Sequence, residues 1–220
     1  MTKKSTMQNK TIIVISIIIL IGIFFGMKHF YNQSQSEKAI ALSKEQALLF
    51  KRDSSFTIGP DDAKVQLVEY FDPACEGCAK FHTYVKDILK QYKDDIQLVL
   101  RYAPLHQDSE KVTVILEATK KQDMFLEVLE ASYKSQRNWA GHGGHNLNAF
   151  FQVISDLGLD MKKLIEDVKN PRTQKVVMQD IEDMKKLGIR QTPSFYVNGK
   201  PLQPFGLQNL KDLIKSEMNK

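Results

Sequence analysis

The pattern of apolar and polar positions first predicts where the strands lie. Four short runs are rich in β-branched and aromatic residues. Such runs are typical of buried strands. The predicted strands cover residues 56–58, 65–70, 96–102 and 194–197. After the last of them, Asn198-Gly199 is a strong signal for a two-residue hairpin turn leading into a partner strand at 200–202.

Helical periodicity occupies most of the chain after residue 77. Apolar residues recur every three or four positions in several segments, as expected for helices with one buried face. The predicted helices cover residues 78–91, 110–121, 124–133, 148–157, 161–168 and 173–187, and a final helix carries Leu207, Leu210, Leu213 and Ile214. The order of elements predicts an α/β domain over 56–220: a β-α-β unit, a helical insertion at about 107–170, and a C-terminal hairpin with a helix.

The N-terminal part of the chain has a different pattern. Residues 11–26 are apolar or small apart from Thr11 and Ser16, and Lys3, Lys4 and Lys10 precede them. A cleaved signal peptide is the alternative, but no small-x-small cleavage pattern follows the run. We therefore expect a single transmembrane signal anchor at 11–27 with a cytoplasmic tail at 1–10, because the basic flank stays inside.

Residues 28–55 are polar and partly helix-compatible, and we interpret them as a spacer. The formal net charge is +5, and three of these charges are lysines of the first 27 residues, which leaves +2 for the rest of the chain. A basic stripe with interleaved aromatic residues is missing from the sequence. Nucleic acid is therefore not an expected partner.

The chemistry of the chain centres on its only two cysteines, Cys75 and Cys78. Two thiols separated by two residues at a helix start form a redox pair, because the free N–H groups there favour a thiolate. Cys75 is the expected nucleophile. The alternatives are a structural disulfide and a zinc site completed by His142 and His145.

Three motifs together resemble the DsbA-like branch of the thioredoxin superfamily. They are Asp-Pro-Ala-Cys-Glu-Gly-Cys at 72–78, Arg-Tyr-Ala-Pro-Leu at 101–105, and Gln-Thr-Pro-Ser-Phe-Tyr-Val-Asn-Gly at 191–199. The resemblance covers roughly residues 56–220. It implies a thioredoxin fold with a helical insertion, here preceded by the N-terminal membrane helix.

The resemblance also implies roles for individual residues. Pro193 is expected to be cis and to face the sulfurs, and the backbone of Thr192 is expected to pair with a substrate peptide. Glu69 stands six residues before Cys75, where the family places a buried acid that relays a proton to or from Cys78. A solvated carboxylate at a strand edge is the alternative for Glu69.

Two further features depart from the family pattern or invite a second interpretation. Oxidising members carry a histidine where this chain has Gly77, and the charge of Glu76 works against a thiolate, so we expect a less oxidising couple. His82 is expected to be a surface or partly packed histidine, and residues 141–145 a polar loop.

The sequence thus predicts an extracytoplasmic thiol:disulfide oxidoreductase on a bacterial cytoplasmic (inner) membrane, with its catalytic domain on the periplasmic side. Its expected partners are exported proteins with cysteines, a membrane or soluble redox partner, and the membrane itself through residues 11–27. None of these roles requires a cofactor. The direction of exchange is left open between oxidase, isomerase and reductase. The alternatives are an extracytoplasmic copper or zinc binding protein and a redox-independent chaperone-like binder.

Overall fold

The computed structural model describes Met27, Gln33, residues 45–141 and residues 144–220. Apart from Met27, the predicted tail 1–10 and anchor 11–27 lie outside the described residues. Among the described residues, no helix is both long enough and apolar enough to cross a membrane. From Ala47 onward the chain forms one compact unit.

The predicted elements occur in this unit in the predicted order, and two further short strands and one further short helix accompany them. The strands are β1 (Phe56–Ile58), β2 (Val65–Phe71), β3 (Ile96–Tyr102), β4 (Ala140–Gly141), β5 (Gly144–His145), β6 (Ser194–Val197) and β7 (Lys200–Pro201). The helices are α1 (Glu76–Gln91), α2 (Ser109–Thr119), α3 (Phe125–Lys134), α4 (Gln136–Trp139), α5 (Leu147–Ser155), α6 (Met161–Val168), α7 (Pro171–Lys186) and α8 (Leu207–Met218), with a 3₁₀ turn at Lys120–Gln122.

A mixed five-stranded sheet forms the centre, in the order β1-β3-β2-β6-β7. Strands β2 and β3 run parallel and are joined through α1, which confirms the predicted β-α-β unit. Strand β6 pairs antiparallel with β2, and β7 with β6 across the Asn198-Gly199 turn, whose two residues have positive φ angles of 47° and 77°. The central strand β2 is buried along almost its whole length, and the residues at its C-terminal end are therefore shielded from solvent.

The predicted helices are present; the helix at 161–168 has the predicted boundaries, and the others differ by one or two residues at one end or both. Helix α1 begins two residues earlier than predicted because Cys75 caps it. Helix α7 also begins early, because the side chain of Asn170 accepts a hydrogen bond from the backbone N–H of Arg172. The polar loop expected at 141–145 is replaced, over its described backbone, by the short antiparallel pair β4 and β5.

A buried ion cluster fixes the start of the compact unit to the sheet. Arg101 is fully buried in β3 and forms ion pairs with Asp180 and Asp183 of α7 at 2.8 and 2.6 Å. Its guanidinium also donates to the carbonyl oxygens of Leu48 and Leu49 at 3.1 and 3.0 Å. These two residues, which we predicted to be part of the spacer, are therefore packed onto the domain.

Candidate active site

The two cysteines lie where β2 ends and α1 begins. Cys75 is the N-cap residue of α1, and its sulfur accepts a hydrogen bond from the backbone N–H of Cys78 at 3.4 Å. Both cysteines are free thiols. Cys75 keeps 6% of its surface exposed, whereas Cys78 has none. Only Cys75 is therefore open to a partner sulfur, as expected for the nucleophile.

The surroundings of Cys75 favour its thiolate. The thiol of Cys78 hydrogen-bonds to the Cys75 sulfur, and the side chain of Thr192 and the backbone N–H groups of Cys78 and Gly77 add to this. Together they lower the pKa of Cys75 to about 6, against the opposing effect of its burial. A thiolate at a helix N-terminus is a reactive nucleophile near neutral pH. Burial is the largest of the effects that raise the pKa of Cys78 well above its usual value.

The loop before β6 faces the nucleophile, as expected from the family resemblance. The Thr192–Pro193 peptide bond is cis. The thiol of Cys75 donates a hydrogen bond to the carbonyl oxygen of Thr192 at 3.2 Å. Gly77 allows this approach, since a Cβ atom there would lie 3.3 Å from Cδ of Pro193 and 3.5 Å from Sγ of Cys75. The structure thus brings both predicted substrate-binding residues to the nucleophile.

Glu69 is buried in the middle of β2, with 2% of its surface exposed. The alternative of a solvated carboxylate is therefore wrong, because its neighbours in the sheet are Leu100 of β3 and Phe195 of β6. Its Oε1 atom has no hydrogen-bond partner among the described residues. Burial, and then the charge of Cys75, raise the pKa of Glu69 to about 8. A carboxyl group with such a pKa can exchange protons near neutral pH.

Asp72 organises the turn that carries the cysteines, a role that the sequence reasoning missed. Its carboxylate is fully buried and accepts hydrogen bonds from the backbone N–H of Leu105 at 2.7 Å, from the hydroxyl of Ser109 at 2.9 Å and from His106. Its own N–H points at Sγ of Cys78 over 3.5 Å. The available signal was an acid followed by proline, three residues before the first cysteine.

The structure tests the predicted metal ligands only in part. The side chains of His142 and His145 lie outside the described part of the chain. Within the described part, no group of three or more His, Cys, Asp or Glu residues is placed to hold a metal ion. His82 lies on α1, and 12% of its side chain is exposed, which agrees with the partly packed histidine that we expected.

The arrangement as a whole supports exchange between a dithiol and a disulfide. An accessible sulfur with a low pKa, a buried partner thiol and a buried acid lie together at one end of the sheet. Attack by the first sulfur and resolution by the second are the two steps that such an exchange needs.

Comparisons with known proteins agree with this geometry. Residues 51–216 match the family model described as thioredoxin. A probable disulfide bond formation protein D from Bacillus anthracis is 26% identical over 184 residues, which cover 78% of this chain and 82% of that protein. A Na(+)/H(+) antiporter NhaA from Herminiimonas arsenicoxydans is 30% identical over 147 residues, or 66% of this chain, but the chain spans only 22% of that relative.

Solved structures give the same fold. Oxidised BdbD from Bacillus subtilis superimposes with a TM-score of 0.67 at 21% identity, covering 76% of this chain and 94% of that one. Both cysteines, Glu69 and the cis-proline loop lie within the range 51–216 that the family model covers. The chain belongs to the thioredoxin family.

Proposed function

We propose that this protein exchanges disulfides with exported proteins through Cys75 and Cys78, from the extracytoplasmic side of a bacterial cytoplasmic membrane. The observation that carries the proposal is the position of Cys75. Cys75 is the less buried member of the pair, with 6% of its surface exposed, and its sulfur has a lowered pKa and lies against the cis-proline loop. This combination gives a nucleophile that also has a place for a peptide beside it.

The two sulfurs have different roles in the exchange. When the enzyme is oxidised, a substrate thiolate attacks Cys75, breaks the Cys75–Cys78 bond and releases Cys78 as a thiolate. Glu69 then gives its proton to Cys78. A second substrate thiolate attacks the mixed disulfide, so that the substrate leaves with a disulfide and Cys75 leaves as a thiolate. In the reverse direction Cys75 attacks a substrate disulfide, and Cys78 resolves it after giving its proton to Glu69.

Substrate binding is assigned to Thr192 and Pro193. An extended peptide that pairs with the backbone of Thr192 would place its own cysteine beside Cys75. The carbonyl oxygen of Thr192, 3.2 Å from Sγ of Cys75, marks this place. Recognition through backbone atoms does not depend on the sequence of the substrate, which suits an enzyme that acts on many unfolded proteins.

The proposed location rests on the N-terminal sequence. Three lysines precede the apolar run 11–26, and the only two cysteines of the chain are both in the active pair. An extracytoplasmic enzyme of this kind has no further cysteine that could form a wrong disulfide in an oxidising compartment. Labelling of Cys75 in intact cells by a thiol reagent that does not cross the membrane tests the location. Labelling only after lysis would contradict it.

The direction of exchange depends on how stable the Cys75–Cys78 dithiol is relative to the Cys75–Cys78 disulfide. A pKa of about 6 at Cys75 lies between roughly 7 for thioredoxin and roughly 3.5 for DsbA. We therefore expect a reduction potential between about −270 and −120 mV, which favours isomerase or moderate oxidase activity. Equilibration of the 220-residue chain with glutathione buffers measures it. A value close to −120 mV would contradict our expectation of a less oxidising couple.

A further inference from the structure

The turn that carries Cys75 is held from outside by the helical insertion. Its four residues are Asp72, Pro73, Ala74 and Cys75, and all four are buried. The backbone N–H of Cys75 donates to the carbonyl oxygen of Asp72 at 3.0 Å, which closes the turn. The turn leads directly into α1, because Cys75 is the N-cap residue of that helix. The position of the nucleophile therefore depends on the shape of this turn.

The central peptide group of the turn, between Pro73 and Ala74, is held at both of its polar ends. The N–H of Ala74 donates to Oδ1 of Asp72 at 2.8 Å. The carbonyl oxygen of Pro73 accepts a hydrogen bond from Nε2 of Gln136 at 2.9 Å. The first bond is local, whereas the second joins the turn to a residue 63 positions further along the chain.

Gln136 is the first residue of α4, and it is fixed firmly in the insertion. Its surface is 7% exposed. In the same short helix, Trp139 is 1% exposed and donates its indole N–H to the carbonyl oxygen of Ser132 at 3.0 Å. The ring of Trp139 packs against Phe150 of α5, with the ring centroids 5.0 Å apart. A donor that is itself buried restricts the carbonyl group that it binds, because its side chain has already lost its rotational freedom.

Loss of this donor would change the shape of the turn. The carbonyl group of Pro73 lies in a buried residue, and a buried carbonyl that loses its hydrogen-bond partner is costly. Rotation of the central peptide relieves this cost, and it is the same rotation that separates type I from type II turns. Because Cys75 follows this peptide in the chain, the rotation would move its sulfur relative to the first N–H groups of α1.

We propose that Gln136 is a positioning residue of the active site: it holds the carbonyl group of Pro73, so that the turn presents the sulfur of Cys75 to the N-terminus of α1 and to the cis-proline loop. This role rests on the proposed function, in which Cys75 is the attacking sulfur. Gln136 acts through the turn, and the reacting atoms remain the two sulfurs. The helical insertion thereby has a part in the chemistry of the site.

The interactions that depend on this position are those of the Cys75 sulfur. It accepts a hydrogen bond from the N–H of Cys78 at 3.4 Å, and its thiol donates to the carbonyl oxygen of Thr192 at 3.2 Å. The titratable groups whose charges interact with that of Cys75 are Cys78, Glu69 of β2 and Tyr133 of α3. A neutral substitution of Gln136 leaves all of these groups in the chain. A changed pKa of Cys75 in such a variant would therefore report a changed position of its sulfur.

Two variants remove the donor in different ways. Gln136→Met keeps the length of the side chain without the amide, and Gln136→Asn keeps the amide on a shorter side chain. In both, the midpoint of Cys75 alkylation should rise by about 0.5 pH unit, because the interaction of a thiolate with a helix N-terminus is of this size. Equilibrium with glutathione at pH 7 should shift about threefold toward the Cys75–Cys78 disulfide, since the reduced form loses part of its thiolate stabilisation.

Thr119→Val is the matched control. Thr119 is fully buried at the end of α2, also in the insertion, and its hydroxyl donates to the carbonyl oxygen of Leu116 at 2.6 Å. The variant loses one buried hydrogen bond of the insertion, but that bond lies within α2. It should lower the melting temperature as the Gln136 variants do, and it should leave the alkylation midpoint of Cys75 unchanged. Melting curves of all variants select a temperature at which each of them is folded.

Midpoints equal to that of wild type in both Gln136 variants would overturn the proposal. An equal rise in Thr119→Val would also overturn it, because any loosening of the insertion would then act on Cys75. Alkylation needs no substrate, so it tests Gln136 separately from the proposed function. If the wild-type chain exchanges no disulfide with a protein substrate, the proposed function fails, and the midpoints still decide on Gln136.

Discussion

The thiol of Cys75 donates a hydrogen bond to the carbonyl oxygen of Thr192, although 117 residues separate the two in the chain. The contact joins the nucleophile to the loop on which we place the substrate. A peptide that takes the place of this hydrogen bond would bring its sulfur directly to Cys75. In the proposed mechanism, chemistry and substrate binding therefore meet at this pair of atoms.

The first prediction concerns the pH dependence of Cys75. Alkylation of the reduced chain should follow a midpoint near pH 6, where the pKa of Cys75 lies, and should fall tenfold per pH unit below it. Cys78 should not react over this range, because burial raises its pKa. Cys78→Ala should move the midpoint upward, since the Cys78 thiol is the largest cause of the low pKa. A midpoint near about 8.5, as for an ordinary thiol, would contradict the site description.

The second prediction concerns Glu69 and stability. Its folded pKa of about 8 is raised above the usual 4.5, so its contribution to stability is fully present below pH 4.5 and is lost as pH rises through 8. Glu69→Gln is neutral at every pH. Its unfolding free energy relative to wild type should therefore rise between pH 4 and 9 by on the order of 4 kcal/mol, measured by denaturant unfolding. Glu76→Gln, at an exposed position, is the control and should show no such trend.

The third prediction concerns the space at Gly77. A side chain there meets Pro193 at 3.3 Å, so Gly77→Leu should displace the cis-proline loop and slow exchange with a protein substrate about tenfold. Leucine has a higher helix propensity than glycine, by roughly 0.8 kcal/mol. This difference offsets part of the strain in the folded state. Exchange rates and unfolding curves of this variant should be compared with those of a Glu76→Leu variant, because position 76 is exposed. Equal exchange rates in the two variants would show that the loop has room.

The fourth prediction concerns Arg101. Its removal leaves the buried carboxylates of Asp180 and Asp183 without this partner, so Arg101→Met should lower the unfolding free energy by about 3–5 kcal/mol. The control is Lys121→Met, which breaks the more exposed pair with Asp167 and should cost less than about 1 kcal/mol. A loss below about 1 kcal/mol for Arg101→Met would mean that the cluster does not hold the start of the domain.

Local patterns predicted most of the fold. Strands β1, β3 and β6 have the predicted boundaries, because short β-prone runs end at turn residues. The Asn198-Gly199 turn was also recognisable, since both residues tolerate positive φ. The start of α1 was missed because it depends on the cap made by Cys75, which is a contact rather than a periodicity.

The active site was predictable where a motif marks it and not where contacts between distant segments build it. Cys75, Cys78, Thr192 and Pro193 belong to motifs, and the structure brings them together. Asp72 acts on residues more than thirty positions away. The acid-proline pair before Cys75 marked its position, but single-sequence patterns do not show which distant backbone groups a buried carboxylate holds, so its role could not be assigned.

The central claim, that Cys75 attacks and Cys78 resolves, is tested most directly by trapping the mixed disulfide. The full chain with Cys78→Ser should accumulate a covalent complex with a cysteine-containing protein substrate, and mass spectrometry of its peptides should find the new disulfide at Cys75. Cys75→Ser should form no such complex, because Cys78 is fully buried. A complex through Cys78, or equal trapping by both variants, would contradict the account.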